Sequence, residues 1–318
     1  MNNPHNIVFL DRESLIANVR RPVFSHSWTE YAATAAADAA PRLAGATIAI
    51  TNKVPLRADT LAQLPELKMI AVAATGTDII DLAACKERGI VVANIRNYAY
   101  ATLPEHTFAM ILALRRNLLA YRADVLAGKW QKSDKFCLFD HPIADLAGSK
   151  LGLLGYGALG QAVARLGRAF GMEIIVHKRT PVEEDGVRNV SWDELLETSD
   201  VLSLHAPLND QTRKLIGAAE LARMKRSALL INTARGGLVD EAALAEALTT
   251  GVIAGAGFDV LVKEPPPEDN VLLNLHLPNF ILTPHIAWAS TQAMQILADQ
   301  LIDNIEAYAA GKPVNVVG

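Results

Sequence analysis

Three side chains in the second half of the chain have the types and order needed for proton and hydride transfer. Arg235 lies in Ile231-Asn232-Thr233-Ala234-Arg235-Gly236-Gly237, Glu264 follows Phe258-Asp259-Val260, and His285 lies in Thr283-Pro284-His285. Each segment follows an apolar run that reads as a strand, and open α/β sheets bind ligands at the carboxyl ends of their strands. Hydride addition to a ketone leaves an alkoxide that needs a proton, and an imidazole, titrating near neutral pH, is its natural donor. A carboxylate beside the ring would orient it and stabilise its protonated form. A guanidinium offers a planar fork for a carboxylate and positive charge near a carbonyl oxygen. The implied substrate is an α-keto acid. Singly, each residue has a plain reading: surface charge for Arg235, a turn cap for Glu264, a satisfied core group for His285. Their order, at successive strand ends downstream of a dinucleotide loop, favours the site.

That loop is Gly155-Tyr156-Gly157-Ala158-Leu159-Gly160. It follows an apolar strand and opens an amphipathic helix, the context that the GxGxxG fingerprint requires. Gly155 permits the tight turn, Gly157 lets backbone approach a pyrophosphate, and Gly160 allows close helix–strand packing. The helix N-terminus presents free N–H groups and the positive dipole end to the anion. The next strand reads Ile174-Ile175-Val176-His177-Lys178-Arg179-Thr180, with no acid until Glu183. NAD enzymes usually place an acid near this strand end for the ribose 2′-hydroxyl. Lys178 and Arg179 would instead attract a 2′-phosphate. The cofactor expected is NAD(P)H, with use of NADP(H) suggested by Lys178 and Arg179. The alternative is a solvated loop in an enzyme that uses NAD(H) through other contacts.

Elements must carry these groups. In the first third, Ile7–Leu10, Thr47–Ile50, Met69–Ala73 and Val91–Ile95 read as strands, with helical patterns at Asp59–Leu64 and Ile80–Arg88. A long helical pattern from Pro104 to Trp130 is apolar on more than one face, so it buries both sides, between domains or between subunits. Six further strands follow, at Lys150–Leu154, Glu173–His177, Val201–Leu204, Ala228–Asn232, Ile253–Asp259 and Phe280–Thr283, with helical patterns between and after them. Alternating β and α at this spacing predicts parallel sheets covered by helices. The expected fold is α/β, with two Rossmann-like or flavodoxin-like doubly wound parallel-sheet domains and a cleft between them. Residues 1–100 plus 287–318 are expected to form a discontinuous substrate-binding domain, and 101–286 the dinucleotide-binding domain.

Thirty Lys+Arg against 34 Asp+Glu give a net charge of −4, which argues against a nucleic-acid surface as the main function. Cys85 and Cys137 fit neither a disulfide framework nor a metal site, so no metal is expected and a reducing compartment is. The N-terminus has no apolar core of a signal peptide. Residues 270–298 lack Asp, Glu, Lys and Arg, but their Asn, His and Pro content does not suit a membrane helix. That stretch reads as buried near a site. A cytoplasmic protein with no membrane or nucleic-acid partner is expected.

The chain resembles the D-isomer-specific 2-hydroxyacid dehydrogenases. The resemblance rests on GYGALG at 155–160, HAPLNDQT at 205–212, INTARGGLVDE at 231–241, FDVLVKEPP at 258–266 and TPHIAWAS at 283–290. AATGTDIID at 73–81 and PEHTFAMILALRRN at 104–117 extend it over nearly the whole chain. Within that family it is most similar to the bacterial glycerate dehydrogenase, or hydroxypyruvate reductase, branch, through IRNYAYATLPEH at 95–106, FCLFDHPI at 136–143 and HIAWAS at 285–290. The resemblance implies reduction of hydroxypyruvate to D-glycerate, with glyoxylate as a second substrate. It implies Arg235, Glu264 and His285 as catalytic residues and the amides of Thr75, Gly76 and Thr77 as binders of the substrate carboxylate, beside Arg235 and His285. Thr107, Ala234 and Asp259 would lie near the nicotinamide, and His205, Ala206 and Pro207 near the adenosine half. With Gly155, Gly157, Ala158, Leu159, Gly160, Lys178, Arg179, Thr180, Thr212, Thr233, Arg235 and His285 they make up the expected cofactor contacts. A homodimer joined through the nucleotide domains is also implied.

Other readings remain at this point. A formate dehydrogenase would pair its His with Gln, whereas Glu264 favours ketone reduction. A phosphoglycerate dehydrogenase often carries a regulatory domain, for which no room is expected beyond the closing helix. Another D-2-hydroxy acid could be the substrate. A cofactor-sensing corepressor could use the same fold, and turnover would separate the two. Trp288, Phe136 and Phe139 are candidates for lining the substrate pocket.

Overall fold

Apolar runs of three to five residues, buried on both faces, form parallel strands in the computed structural model, which describes residues 5–318. The chain divides into two units, Met1–Tyr98 with Ala289–Gly318, and Ala99–Trp288.

The first unit holds β1 (His5–Phe9), β2 (His26–Glu30), β3 (Ile48–Thr51), β4 (Met69–Val72) and β5 (Val91–Ala93). They form one parallel sheet in the order β2-β1-β3-β4-β5, the flavodoxin-like order. Short helices α1 (Ala39–Arg42), α2 (Ala58–Ala62) and α3 (Leu82–Glu87) cover it, with Leu43, Leu61 and Cys85 in a core with Ala49, Ile70 and Val92. The helix Thr291–Ala309 packs against β4. Four strands were expected here; β2 is the fifth. Its sequence HSWTE has no apolar run because it is an edge strand with mostly exposed residues.

The second unit opens with α4 (Thr102–Arg115) and α5 (Leu118–Leu126). The continuous helix expected from Pro104 to Trp130 is therefore two. Asn117 adopts a left-handed conformation (φ 50°, ψ 39°), which Asn tolerates, and its side-chain amide donates to Pro142 O at 2.5 Å. Gly128, at φ 73°, ends the second helix before Trp130. The α4 helix does bury two sides, with Phe108, Met110, Ile111 and Leu114 all inside.

There follow β6 (Lys150–Leu154), α6 (Ala158–Ala169), β7 (Glu173–His177), β8 (Val187–Asn189), α7 (Trp192–Thr198), β9 (Val201–Leu204), α8 (Ala218–Arg223), β10 (Leu229–Asn232), α9 (Glu241–Thr250), β11 (Gly255–Phe258) and β12 (Phe280–Leu282). The seven strands are parallel in the order β12-β11-β10-β9-β6-β7-β8, the Rossmann order with one added strand. The unexpected seventh, β8, is a three-residue polar edge. The sheet reverses direction at β6, where Leu154 lies opposite His177 on one side and Leu204 on the other. That reversal puts the loops after β6 and β9 side by side.

The charge-free stretch is not buried as expected. Val271 and Leu273 are exposed, and Leu272, with partly buried Leu275 and Leu277, anchors its first part in the core. Asparagines satisfy its backbone: Asn270 Oδ1 accepts from the amides of Leu272 and Leu273, and the Asn274 side chain donates to Glu268 O. Polar amides replace charges there.

One buried amide chain ties the first unit together. Asn304, 1% exposed, donates to Asn94 O at 2.9 Å and accepts from the Asn315 side chain at 2.8 Å. Replacing Asn304→Leu leaves both partners unsatisfied, and we expect a loss of about 1–3 kcal/mol, read as a lower urea midpoint for this unit. An unchanged midpoint would show that the two groups find water instead.

Candidate active site

The loop after β6 is built by steric exclusion. Gly155 has φ 90°, and a Cβ there would lie 2.7 Å from His205 O; a Cβ on Gly160 would lie 2.7 Å from Gly155 O. Only glycine lets α6 start this close to the strand ends. A Cβ on Gly157, by contrast, would meet nothing within 4 Å, so that face of the loop is open. Gly157 is the N-cap of α6 and supplies no side-chain hydrogen bond, so the first helical amides, Ala158, Leu159 and Gly160, keep their donors for another partner. An open backbone face at an uncapped helix N-terminus fits a pyrophosphate.

Lys178, Arg179 and Thr180 follow β7 and are exposed. The loop beyond them is clasped to α6. Glu184 Oε1 accepts from Arg168 at 2.6 Å, and Oε2 accepts from the Tyr156 hydroxyl at 2.9 Å. Arg168, and then Tyr156, hold the Glu184 carboxyl below its ordinary range; burial, and then Glu184, push the Tyr156 phenol up. Glu184 therefore faces α6 rather than the end of β7. Sequence reading missed this role, and the signal was the tyrosine inside the glycine fingerprint.

His205 closes the other side of the reversal. Its N–H bonds Leu154 O at 2.8 Å, and its ring shares a hydrogen bond with Ser203 Oγ at 2.9 Å. Burial pushes the imidazole down from 6.5 to about 4, so it is neutral at pH 7. Ala206 and Pro207 continue this loop, and Thr212 closes it, donating to Pro207 O at 2.7 Å and accepting from Asn209 N at 2.8 Å.

The three residues expected to carry the chemistry follow β10, β11 and β12. Arg235 follows β10 in a turn held by buried Asn232, which donates to Arg235 O and accepts from the Ala234 amide. Arg235 Nη1 donates to Ala234 O at 2.8 Å. Gly236 is the contact point of that turn: a Cβ there would fall 2.0 Å from the Leu261 carbonyl carbon. The Arg235 turn thus packs directly on the backbone that leads to Glu264. Glu264 uses both oxygens. Oε1 accepts from Leu261 N at 2.8 Å, and Oε2 meets His285 Nδ1 at 2.5 Å. His285 is left-handed at φ 57°, a conformation that costs a non-glycine residue roughly 1–2 kcal/mol.

Among the remaining expected residues, Thr107 is fully buried. Its hydroxyl donates to Leu103 O at 2.9 Å and lies 3.2 Å from the Thr233 hydroxyl, joining α4 to the end of β10. Asp259 is 1% exposed and bonded to the His285 loop. In the first unit, Thr75, Gly76 and Thr77 form the turn after β4. Thr75 Oγ1 donates to Ile95 O at 2.8 Å, and the Asn94 side chain donates to Thr75 O at 2.7 Å. Trp288 is half-buried and donates to His285 O at 3.0 Å. Phe136 and Phe139 are 89% and 81% exposed. Among the described residues no cluster of three or more His, Cys, Asp or Glu could hold a metal ion, and no helix is long and apolar enough to cross a membrane.

The family "D-isomer specific 2-hydroxyacid dehydrogenase, NAD binding domain" matches residues 108–287. A glycerate dehydrogenase from Methylorubrum extorquens is 57% identical over 312 residues, covering 98% of each chain. A D-lactate dehydrogenase from Aquifex aeolicus, solved with NAD and lactic acid, superposes with a TM-score of 0.84 at 30% identity, covering 96% of each chain. An acyclic imino acid reductase solved with NADPH and D-Arg gives a TM-score of 0.86 at 30% identity, covering 98% of this chain and all of the other.

The neutral His205 makes a prediction about acid stability. The unfolded chain binds a proton at this residue below about pH 6.5, the folded chain only near pH 4. Stability contributed here is present above pH 6.5 and is lost as pH falls from 6.5 to 4. His205→Gln should therefore flatten the dependence of Tm on pH in that window. An identical slope in the variant would show that the imidazole protonates equally easily in both states.

Proposed function

The chain belongs to the D-isomer specific 2-hydroxyacid dehydrogenases, and from that premise we propose that it is a cytoplasmic NAD(P)H-dependent reductase of hydroxypyruvate to D-glycerate, with glyoxylate as a second substrate. It is an oxidoreductase acting on a CH–OH group, and it takes a nicotinamide cofactor. The observation that carries the proposed chemistry is the Glu264–His285 contact at 2.5 Å. With Nδ1 engaged by the carboxylate, Nε2 is the nitrogen left to give a proton.

A reduced nicotinamide, when bound, supplies the hydride that C2 of the keto acid takes up. His285 Nε2 donates the proton that the carbonyl oxygen then needs. Glu264 holds the ring in place and stabilises the positive charge it carries before transfer. Arg235 pairs with the substrate carboxylate and polarises the carbonyl. The amides of the Thr75–Thr77 turn are assigned, by the family resemblance, to a substrate carboxylate. The Gly155–Gly160 loop takes the pyrophosphate, His205, Ala206, Pro207 and Thr212 border the adenosine half, and Thr107, Thr233, Ala234 and Asp259 border the nicotinamide half. His285→Ala should lower kcat by about 10²–10⁴-fold, the range for a lost general acid, with NADH binding retained in a fluorescence titration. Near-normal turnover would sink the assignment. A protein that binds cofactor but turns over neither keto acid would be a sensor.

NADP(H) use is part of the same proposal. Two cations stand at the end of β7, and Glu184, the acid bonded to the glycine loop's Tyr156, is committed to Arg168. Arg179→Ala should cut kcat/KM for NADPH by about 10-fold or more and leave that for NADH nearly unchanged. Equal losses with both cofactors would remove the 2′-phosphate from the argument.

A homodimer through the nucleotide-binding unit completes the reading. Leu118, Leu126, Trp130, Phe136 and Phe139 expose large apolar surfaces along 118–139. Light scattering should return twice the chain mass, and Leu126→Glu should shift it toward one chain.

A further inference from the structure

The left-handed conformation of His285 needs a restraint, because its side-chain type does not supply one. Asp259, the first residue after β11, supplies it without touching the imidazole. Its Oδ1 accepts from Thr283 Oγ1 at 2.5 Å and from the Ile286 amide at 2.8 Å, and its Oδ2 accepts from the Ala287 amide at 2.8 Å. The loop is gripped two residues before His285 and again at the two residues after it. Thr283 has one hydroxyl proton and gives it to Asp259, so its oxygen accepts from His106 Nε2 at 3.0 Å. His106 comes from α4 and Asp259 from the end of β11, so two elements meet on the loop that follows β12. The carboxylate is 1% exposed and has three donors from one loop.

We infer that Asp259 is a positioning residue for His285, acting through the amides of Ile286 and Ala287 and completed by Thr283 and His106. This rests on the reading of His285 as proton donor, and it gives Asp259 a role beyond a border to the nicotinamide. Asn at this position presents an amide N–H to groups that are all donors, so one grip must open and the ring must drift from Glu264.

Three variants test this. Asp259→Asn should lower kcat by about 10²-fold, as small misplacements of a reacting group do, while the NADH dissociation constant stays near wild type. Thr283→Val should lower kcat by about 10-fold, and Thr283→Ser, which keeps the hydroxyl, should restore it. The inference is overturned if Asp259→Asn keeps kcat, or if it weakens NADH binding and leaves kcat at saturation unchanged, because Asp259 would then serve the cofactor directly. Thr283→Ser as impaired as Thr283→Val overturns it too, and that pair decides the matter if Asp259→Asn does not fold. His285→Ala, run beside them, separates the two levels. Retained turnover there removes the proton donor itself; collapse there with normal Asp259→Asn and Thr283→Val removes only the positioning role.

Discussion

The contact between Glu264 Oε2 and His285 Nδ1 decides which imidazole nitrogen the proposed proton transfer would use. Both of its ends are anchored. The second oxygen of Glu264 is held by the Leu261 amide, so the carboxylate cannot rotate away without leaving that bond. His285 sits on a loop whose backbone amides point at Asp259. A free histidine would sample several rotamers, and a general acid must come within hydrogen-bond reach of its target. The anchoring replaces that freedom with one ring orientation.

Behind the pair lies backbone packed directly on backbone. Gly236 brings the Arg235 turn against Leu261, and Gly155 and Gly160 bring the start of α6 against the end of β9. The same device lets α4 sit on β11, where a Cβ on Gly257 would come 3.0 Å from Met110 Cβ. Helix and strand ends meet at distances that any side chain would prevent. The resulting edge of the parallel sheet gathers loops from distant parts of the chain, and the amide, hydroxyl and carboxylate groups in them saturate one another. Two of the titratable groups there are offset: His205 is kept neutral by burial, and Glu184, bonded to Tyr156 of the glycine loop, is paired with Arg168.

Much of this was legible without coordinates. The strands Lys150–Leu154, Glu173–His177 and Val201–Leu204 stand where their apolar runs end, because a parallel strand buried on both faces has a continuous hydrophobic sequence. The edge strands His26–Glu30 and Val187–Asn189 were not legible, since an edge needs no such run. The helix from Pro104 was read through the break at Asn117, because periodicity persists across a single left-handed residue. The stretch from Asn270 was read as buried from its lack of charge, although asparagine side chains cap its turns at the surface.

Local physics therefore determined the alternation of strands and helices, the glycine turn and the order of Arg235, Glu264 and His285 along the chain. These follow from hydrophobic period, from the steric limits of glycine and from residue chemistry, each readable within a few positions. Tertiary structure alone decided that Glu264 meets His285 through Nδ1, that Asp259 grips the histidine loop, and that Glu184 turns toward Arg168. Those partners lie 16 to 28 residues apart. Which oxygen faces which donor depends on loop conformations set by packing between strand ends, and no local pattern encodes them.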